Sequence, residues 1–507
     1  MSQKFTGFSE WYHNAALAVI NEDGVVEFAS QAERFTKKKN DAVIPDNLWD
    51  YSKEGNHVSF YENHEEKWRN RRNAKNVDAA KKNLKTAKTE KHSLMMHLEI
   101  PMEGALTYDK CYNHHQSHCA TAFFTRPWDD ASDTVQVAID GVGELETVAI
   151  LDNKFNRIKE IHWPKSVGLV YTSATKFLGL RALEDEYVTM GLSSYGQYDE
   201  SMVQWLYNWY HSMPDESEEV KMGLQVDVKE SSRHHRFHEM QNYLNETQKK
   251  MEDGDYAAGI QEFTRRIILE IMQEARQHGS KLVYSGGCAQ NVVINSEIKP
   301  MFDDVHIAVE PTDGGSALGA AALSWHHATG KDKLIWTPYL GYNIDREINP
   351  REVVDHLMKE KVCGVANGRA EFGPRALGNR SLIADVRYDV KDTVNTIKRR
   401  QMYRPFAPAV LEEFADQYFE GPMNEYMQYT SRALHDYKSV THVDGTARVQ
   451  IVKKDCDSVF RKIIEEYYER TGVPMLLNTS LNIRHRPMVN DVHDARLFEQ
   501  KYNVKVF

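Results

Sequence analysis

With 507 residues, 41% hydrophobic and 27% charged, the chain has an ordinary globular composition and enough length for two or more domains, each with its own core. A net charge of -11 excludes a surface that is basic everywhere, and the composition excludes general disorder. Cys111, Cys119, Cys288, Cys363 and Cys456 form no CxxC pair, the N-terminus lacks a signal-peptide core, and no apolar run reaches membrane-spanning length, which together predict a reduced, cytoplasmic chain without a membrane partner.

In chain order, the first predicted elements are a strand over Ala15–Ile20, a turn at Asn21–Gly24 and a second strand over Val25–Ser30. Between Lys67 and Lys91, ten Lys and Arg residues are opposed only by Asp78 and Glu90. Good helix formers without Pro or Gly predict an exposed helix or helical hairpin there, projecting from the first domain as an insertion near 65–93. Solvation alone does not require one dominant sign of charge. Such a helix can neutralise phosphates, and Trp68 offers a stacking surface, so nucleic acid is an expected partner.

The segment His114-His115-Gln116-Ser117-His118 places residues 114 and 118 one helical turn apart on one face. Two imidazoles can then converge on a metal, with Asp140 in Ile139-Asp-Gly-Val-Gly-Glu144 and Asp313 in Thr312-Asp-Gly-Gly315 completing the shell. His115 and Cys119 point elsewhere on such a helix and are read as structural. A strand pair is predicted at Val135–Ile139 and Glu146–Leu151, joined by the glycine-containing loop after Asp140.

Farther on, helical spacing over Asp255–His278 leads into a strand at Lys281–Tyr284 and the loop Ser285-Gly286-Gly287-Cys288-Ala289-Gln290-Asn291. A strand, a glycine pair and a helix start admit a nucleotide against backbone. Asp313-Gly-Gly opens a predicted helix at Ser316–Trp325, and the recurrence of hairpin and glycine-rich loop in two halves matches actin-like nucleotide-binding folds. Polar residues, Gly330 and Pro338 mark a boundary at 329–338. A second α/β unit follows, rich in cations: Arg369, Arg375, Arg380, Arg387, Lys398, Arg399, Arg400, Arg404, Arg448, Arg484 and Arg486.

Several motifs, in this order, carry a resemblance: Gly7-Phe-Ser-Glu-Trp-Tyr-His13-Asn14, Ala32-Glu-Arg-Phe-Thr36, His114-His-Gln-Ser-His118, Asp140-Gly-Val-Gly-Glu144, Met190-Gly-Leu192, Ser285-Gly-Gly287, Glu371-Phe-Gly-Pro-Arg-Ala-Leu-Gly-Asn-Arg-Ser381, Arg404-Pro-Phe-Ala-Pro408, Asp444-Gly-Thr-Ala-Arg-Val-Gln450 and Leu477-Asn-Thr-Ser-Leu-Asn482. Across nearly its whole length the chain resembles the NodU/CmcH-type O-carbamoyltransferases. The resemblance implies an α/β protein with an N-terminal actin-like (ASKHA, duplicated RNase H-like) domain over 1–335 and a C-terminal YrdC-like domain over 336–507. Similar enzymes make carbamoyl adenylate from carbamoyl phosphate and ATP in the second domain and pass the carbamoyl group to a hydroxyl at the metal domain.

Carried onto this chain, the resemblance implies a metal held by His114, His118, Asp140 and Asp313. Iron is the family's usual ion, and the N/O ligand set also permits Mn or Zn. His13 is the implied general base. Lys398, Arg448 and Arg484 would contact carbamoyl phosphate, and Asn482 the carbamoyl amide. Gly286, Gly287 and Asn291 would contact the adenosine or its phosphates, with Gly141 and Gly143 at the opposite phosphate edge.

Two departures touch acceptor contacts: Asn14 stands where relatives carry Asp, and Val188 where they carry Lys. Relatives act on nodulation oligosaccharides, cephalosporins and aminoglycosides, and some phage-linked members act on 5-hydroxymethylcytosine in DNA. The basic stretch favours the DNA acceptor, with a small-molecule sugar or antibiotic hydroxyl as the alternative; a homodimer is compatible with either. A catalytically silent nucleotide-binding protein and threonylcarbamoyl transfer to tRNA are the competing classes.

Overall fold

The structure, a computed structural model, describes residues 3–52, 57–63, 108–213 and 230–507, the side chains of 230–234 apart. The basic stretch Lys67–Lys91, with Trp68, lies outside the described residues. The chain forms two units, one drawn from 1–28, 40–290 and 301–336 and the other from 29–39, 291–300 and 337–507.

In the first unit the strands are β1 (Lys4–Ser9), β2 (Ala16–Asn21), β3 (Val26–Gln31), β4 (His57–Phe60), β5 (Lys110–Cys111), β6 (Thr134–Ile139), β7 (Glu146–Leu151), β8 (Arg157–His162), β9 (Lys281–Ser285) and β10 (Asp304–Ile307). They make two five-stranded sheets, ordered β3-β2-β1-β4-β5 and β8-β7-β6-β9-β10. Counted from its own first strand, each sheet runs 3-2-1-4-5. In each, the first strand pairs antiparallel with the second and parallel with the fourth, and the fourth pairs parallel with the fifth. This repeat of order and direction is the duplicated RNase H-like, actin-like architecture.

The sequence explains the hairpins locally. The Asn21 side-chain oxygen accepts from the amides of Asp23 at 3.1 Å and Val25 at 3.0 Å, and Gly24 takes φ +90°, so a polar turn separates two apolar runs. β6 and β7 are buried at every residue, as strands covered on both faces must be.

Two helices bring the halves of the unit together. The helix Asp313–Thr329 starts three residues before the expected Ser316 because Thr312 caps it, its hydroxyl accepting from Gly314 N at 3.4 Å. Gly330, at φ +72°, closes it past Trp325. Small residues let it approach the helix His114–Phe124: a Cβ on Gly319 would fall 1.9 Å from the Ser117 carbonyl, and Thr121 Oγ1 donates to Gly315 O at 2.7 Å. Gly319→Ala is therefore expected to lower stability by about 1–3 kcal/mol through overpacking against backbone, read as a fall in the midpoint of urea unfolding.

The second unit carries β11 (Tyr339–Ile344), β12 (Val362–Ala366), β13 (Gly368–Glu371), β14 (Arg380–Ala384), β15 (Ala407–Leu411), β16 (Phe419–Glu420), β17 (Ser431–Ala433), β18 (Thr446–Ala447), β19 (Gln450–Val452) and β20 (Met475–Ser480). Its main sheet, β12-β14-β20-β15-β19, is antiparallel except for the β15/β19 pair. On one face Val353, Leu357, Phe460, Ile463 and Tyr467 of the helices Pro350–Glu360 and Val459–Thr471 pack against Ile383 and Leu476. All five cysteines are free, and among the described residues no helix is long and apolar enough to cross a membrane.

Candidate functional site

Within the first unit, chemistry gathers where parallel strands end. β1 runs into the loop bearing His13, β5 into the helix bearing His114 and His118, β6 into Asp140, β9 into Gly286–Gly287, and β10 into the segment before Asp313. Carboxyl ends of strands are where open α/β sheets present binding groups.

Four of these side chains meet. His114, His118, Asp140 and Asp313 each place a ligand atom within 4.8 Å of the others. The Nε2 atoms of His114 and His118 are 3.1 Å apart. His114 Nε2 lies 3.2 Å from Asp140 Oδ2 and 3.6 Å from Asp313 Oδ1, and His118 Nε2 lies 3.4 Å from each. Two donors about 2.1 Å from one ion stand about 3.0 Å apart at a right angle and about 3.4 Å apart at a tetrahedral angle. The spacing and the two-nitrogen, two-oxygen donor set therefore fit one divalent ion.

Burial and charge oppose each other here, and charge wins. Burial would push the carboxyls up, yet the two imidazoles hold Asp140 well below the usual carboxylate range, and the charges of His13 and His114 help bring Asp313 to about 2. Burial disfavours charge on His118, but hydrogen bonds to Asp140 and Asp313 hold it at about 9. For His115 burial prevails, followed by the charge of His114, and it falls to about 3. Among the described residues neither ring nitrogen of His115 has a hydrogen-bond partner.

His13 Nε2 stands 3.8 Å from Asp313 Oδ2. Its loop is bracketed by left-handed residues, Trp11 at φ +87° and Asn14 at φ +55°, and tied down by Trp11 N to Ala42 O at 2.7 Å and Ala15 N to Asp41 O at 2.8 Å. Asparagine adopts that conformation readily, which suits residue 14. Val188 is 1% exposed and belongs to the apolar core.

The glycines have specific neighbours. Gly287 N donates to Asp140 Oδ1 at 3.0 Å, and a Cβ on Gly287 would fall 2.8 Å from that oxygen. Gly286, at φ +88°, passes against the Ile139 backbone. Gly143 faces His114 and His115, whose side-chain atoms lie 2.9 Å from its Cβ position, while the Gly141 carbonyl accepts from Ser166 Oγ at 2.6 Å. These contacts shape the four-residue cluster itself. Asn291 belongs to the other unit, where its side chain caps the helix Val292–Ile298 by accepting from Ile294 N at 3.3 Å.

Glu144 holds the N-terminus of the helix His114–Phe124. Its carboxylate accepts from His114 N at 2.9 and 3.1 Å, from Asn63 N at 2.6 Å and from Asn113 Nδ2 at 3.0 Å. A carboxylate at a helix N-terminus satisfies orphan amides and the helix dipole. Burial and the charges of Glu62 and Glu146 nonetheless push its carboxyl well up.

The cations of the second unit separate into kinds. Arg380 is fully buried and spends its guanidinium on the carbonyls of Tyr342, Asn367, Gly368, Asn379 and Asn490. Arg387 pairs with Asp385, and Arg400 bonds Asn395 Oδ1 and Pro405 O over the Phe406 ring. Lys398 donates to Ser480 O, to Ser480 Oγ at 3.2 Å, to Asn482 O at 3.0 Å and to Asn482 Oδ1 at 2.9 Å. Asn482 Nδ2 is engaged too, on Arg486 O at 2.7 Å, and Arg484 N donates to Lys398 O at 2.9 Å. Ser480, part of the motif Leu477–Asn482 but given no role there, joins this node through its hydroxyl bond to Asn482 at 2.7 Å.

Arg448 differs. Burial, then the charges of Arg375 and Arg404, push its guanidinium well below the usual range. Among the described residues no acid pairs with Arg448 and its buried Nε has no partner. Three cations held together without a carboxylate on Arg448 suit an anion such as phosphate.

Comparison with known proteins gives a consistent result. The model of the carbamoyltransferase N-terminus matches residues 4–322, and that of the carbamoyltransferase C-terminus matches 354–507. Nodulation protein NolO of Bradyrhizobium diazoefficiens is 30% identical over 76% of this chain and 75% of its own length. The uncharacterized protein sll1178 of Synechocystis is 28% identical over 96% of this chain and 93% of that one. Among solved structures, the activator of the 2-hydroxyisocaproyl-CoA dehydratase from Clostridium difficile with bound ADPNP matches at 12% identity and TM-score 0.35, covering 66% of this chain and all of the other.

Proposed function

The chain belongs to the carbamoyltransferase family and is a carbamoyltransferase, and we propose that it activates carbamoyl phosphate with ATP and transfers the carbamoyl group to an acceptor hydroxyl. The observation that supports this reading most is the cluster of His114, His118, Asp140 and Asp313 beside His13, in spacing that fits one divalent ion. Such an ion, with iron preferred and Mn or Zn also suited to the donors, would supply Lewis-acid polarisation of the carbamoyl oxygen.

The protein's own groups account for the remaining demands. His13 Nε2 takes the proton of the acceptor hydroxyl as its oxygen bonds the carbamoyl carbon. The bond from that carbon to the phosphate oxygen of the ATP-derived carbamoyl adenylate breaks, and its electron pair leaves with AMP. In the second unit Arg448, with Arg375 and Arg404, receives the phosphate of carbamoyl phosphate or ATP, while Lys398, Ser480 and Asn482 hold the neighbouring loop in shape.

For the acceptor we favour 5-hydroxymethylcytosine in DNA, supported by the excess of ten cations over two acids between Lys67 and Lys91. Incubating enzyme, carbamoyl phosphate and ATP with DNA bearing that base, then analysing nucleosides by mass spectrometry, is expected to show one added carbamoyl on hydroxymethylcytidine. Deleting 65–93 should weaken DNA binding and flatten its salt dependence in a gel-shift titration. DNA left unmodified while a sugar or antibiotic alcohol is carbamoylated would replace the acceptor and keep the reaction.

A further inference from the structure

We propose that Tyr61 is a catalytic residue, its hydroxyl donating a hydrogen bond to the carbonyl oxygen of the carbamoyl group at the metal cluster; this rests on the reading of that cluster given above. The residue follows directly after β4, the parallel neighbour of β1, so it occupies the same kind of position as His13 does after β1. Its ring packs against His114, centroids 5.3 Å apart at 52°, and against Phe60 at 5.0 Å. Tyr61 is 1% exposed, yet its hydroxyl makes no hydrogen bond among the described residues. A phenol so deeply placed ordinarily finds a partner. The ring contact with His114 sets Tyr61 beside the cluster.

A donor in that place would add to the polarisation that an ion in the cluster supplies to the same oxygen. As the acceptor oxygen adds to the carbamoyl carbon, the carbonyl electron pair moves onto oxygen, and a fixed donor aimed there is stronger in the transition state than in the ground state. Around the cluster His114 and His118 turn their Nε2 atoms towards one another and the carboxylates, and Asp140 and Asp313 only accept. The Tyr61 hydroxyl is free to donate.

Tyr61→Phe keeps the ring that packs on His114 and Phe60 and removes only the hydroxyl. The test uses full-length protein loaded with Co(II), titrated with acetohydroxamate as a carbonyl-bearing probe and followed by the visible Co(II) bands. The wild type is expected to bind the probe, and Y61F to bind it at least about 10-fold more weakly, with Co(II) affinity and thermal stability unchanged. In turnover, kcat should fall about 100-fold, in the range for loss of an oxyanion donor, without a change in KM for carbamoyl phosphate. Equal probe affinity and equal kcat in Y61F and wild type would overturn the role of Tyr61 alone. A Co(II)-loaded wild type whose spectrum ignores the probe would instead overturn the reading of the cluster on which the role depends.

Discussion

Asp313→Asn is expected to abolish metal retention and to lower kcat/KM for carbamoyl transfer at least about 1000-fold, about 4 kcal/mol of transition-state stabilisation. Asp313 faces three imidazoles, lying 3.4 Å from His118, 3.6 Å from His114 and 3.8 Å from His13. Asparagine keeps the size and removes the charge, so a divalent ion would lose one of its two anionic donors and His13 the carboxylate that faces it. The change sits at the first position of a helix, where loss of a negative charge costs only about 0.3–1 kcal/mol, so folding should survive. The check is twofold: metal content after dialysis, and the melting temperature with and without added metal. An ion present at a hundred times its dissociation constant stabilises the folded wild type by about 2.7 kcal/mol, and the variant should show no such increment. A variant that keeps both the ion and the increment would remove Asp313 from the metal site.

What could be read from sequence was what depends on local spacing. The 114/118 pair follows from helical geometry, and the hairpins of β2–β3 and β6–β7 follow from apolar runs broken by turns. The actin-like doubling was legible because it repeats, and the sheet orders show it directly. Helix ends were less so: the helix at Asp313 begins at its capped N-terminus, ahead of the run of apolar residues that suggested Ser316. Long-range uses of backbone were not legible at all. A glycine pair after a strand reads as a nucleotide loop, whereas the Gly287 amide bonds Asp140 and Gly143 lies against two imidazoles. Asn291 reads as part of that same loop, but it caps a helix in the other unit. Tyr61 carries no motif, and only the strand order puts it beside His114.

The cations of the second unit taught the same lesson with larger consequences. In sequence Arg380, Lys398 and Arg448 are alike, each embedded in a motif with Gly, Asn or Pro nearby. In the structure Arg380 is consumed by five carbonyl groups, Lys398 by oxygens of Ser480 and Asn482, and Arg448 meets the charges of Arg375 and Arg404 with no acid paired to it among the described residues. A guanidinium satisfied by backbone is a structural strut, because moving it to a ligand would leave several carbonyls without donors.

That difference sets opposite expectations for Lys398→Met and Arg448→Met. Removing buried Lys398 strips donors from Ser480 and Asn482 in a half-buried loop, and stability should fall by about 1–3 kcal/mol in urea unfolding. Burial, with Arg400 and Arg404, already pushes its ammonium well below the usual range, so the loop's oxygens are what hold it. Removing Arg448 takes a poorly solvated cation away from Arg375 and Arg404, and the fold should become more stable. Activity should move the other way: loss of charge-assisted bonds to phosphate, worth about 1.5–3 kcal/mol, raises KM for carbamoyl phosphate by about 10- to 150-fold with little change in the melting curve of the first unit. Initial rates at varied carbamoyl phosphate, paired with denaturation of the same preparations, separate the two residues. Should R448M lose stability as K398M does while its KM stays put, Arg448 would be a structural cation and the phosphate would have to bind elsewhere.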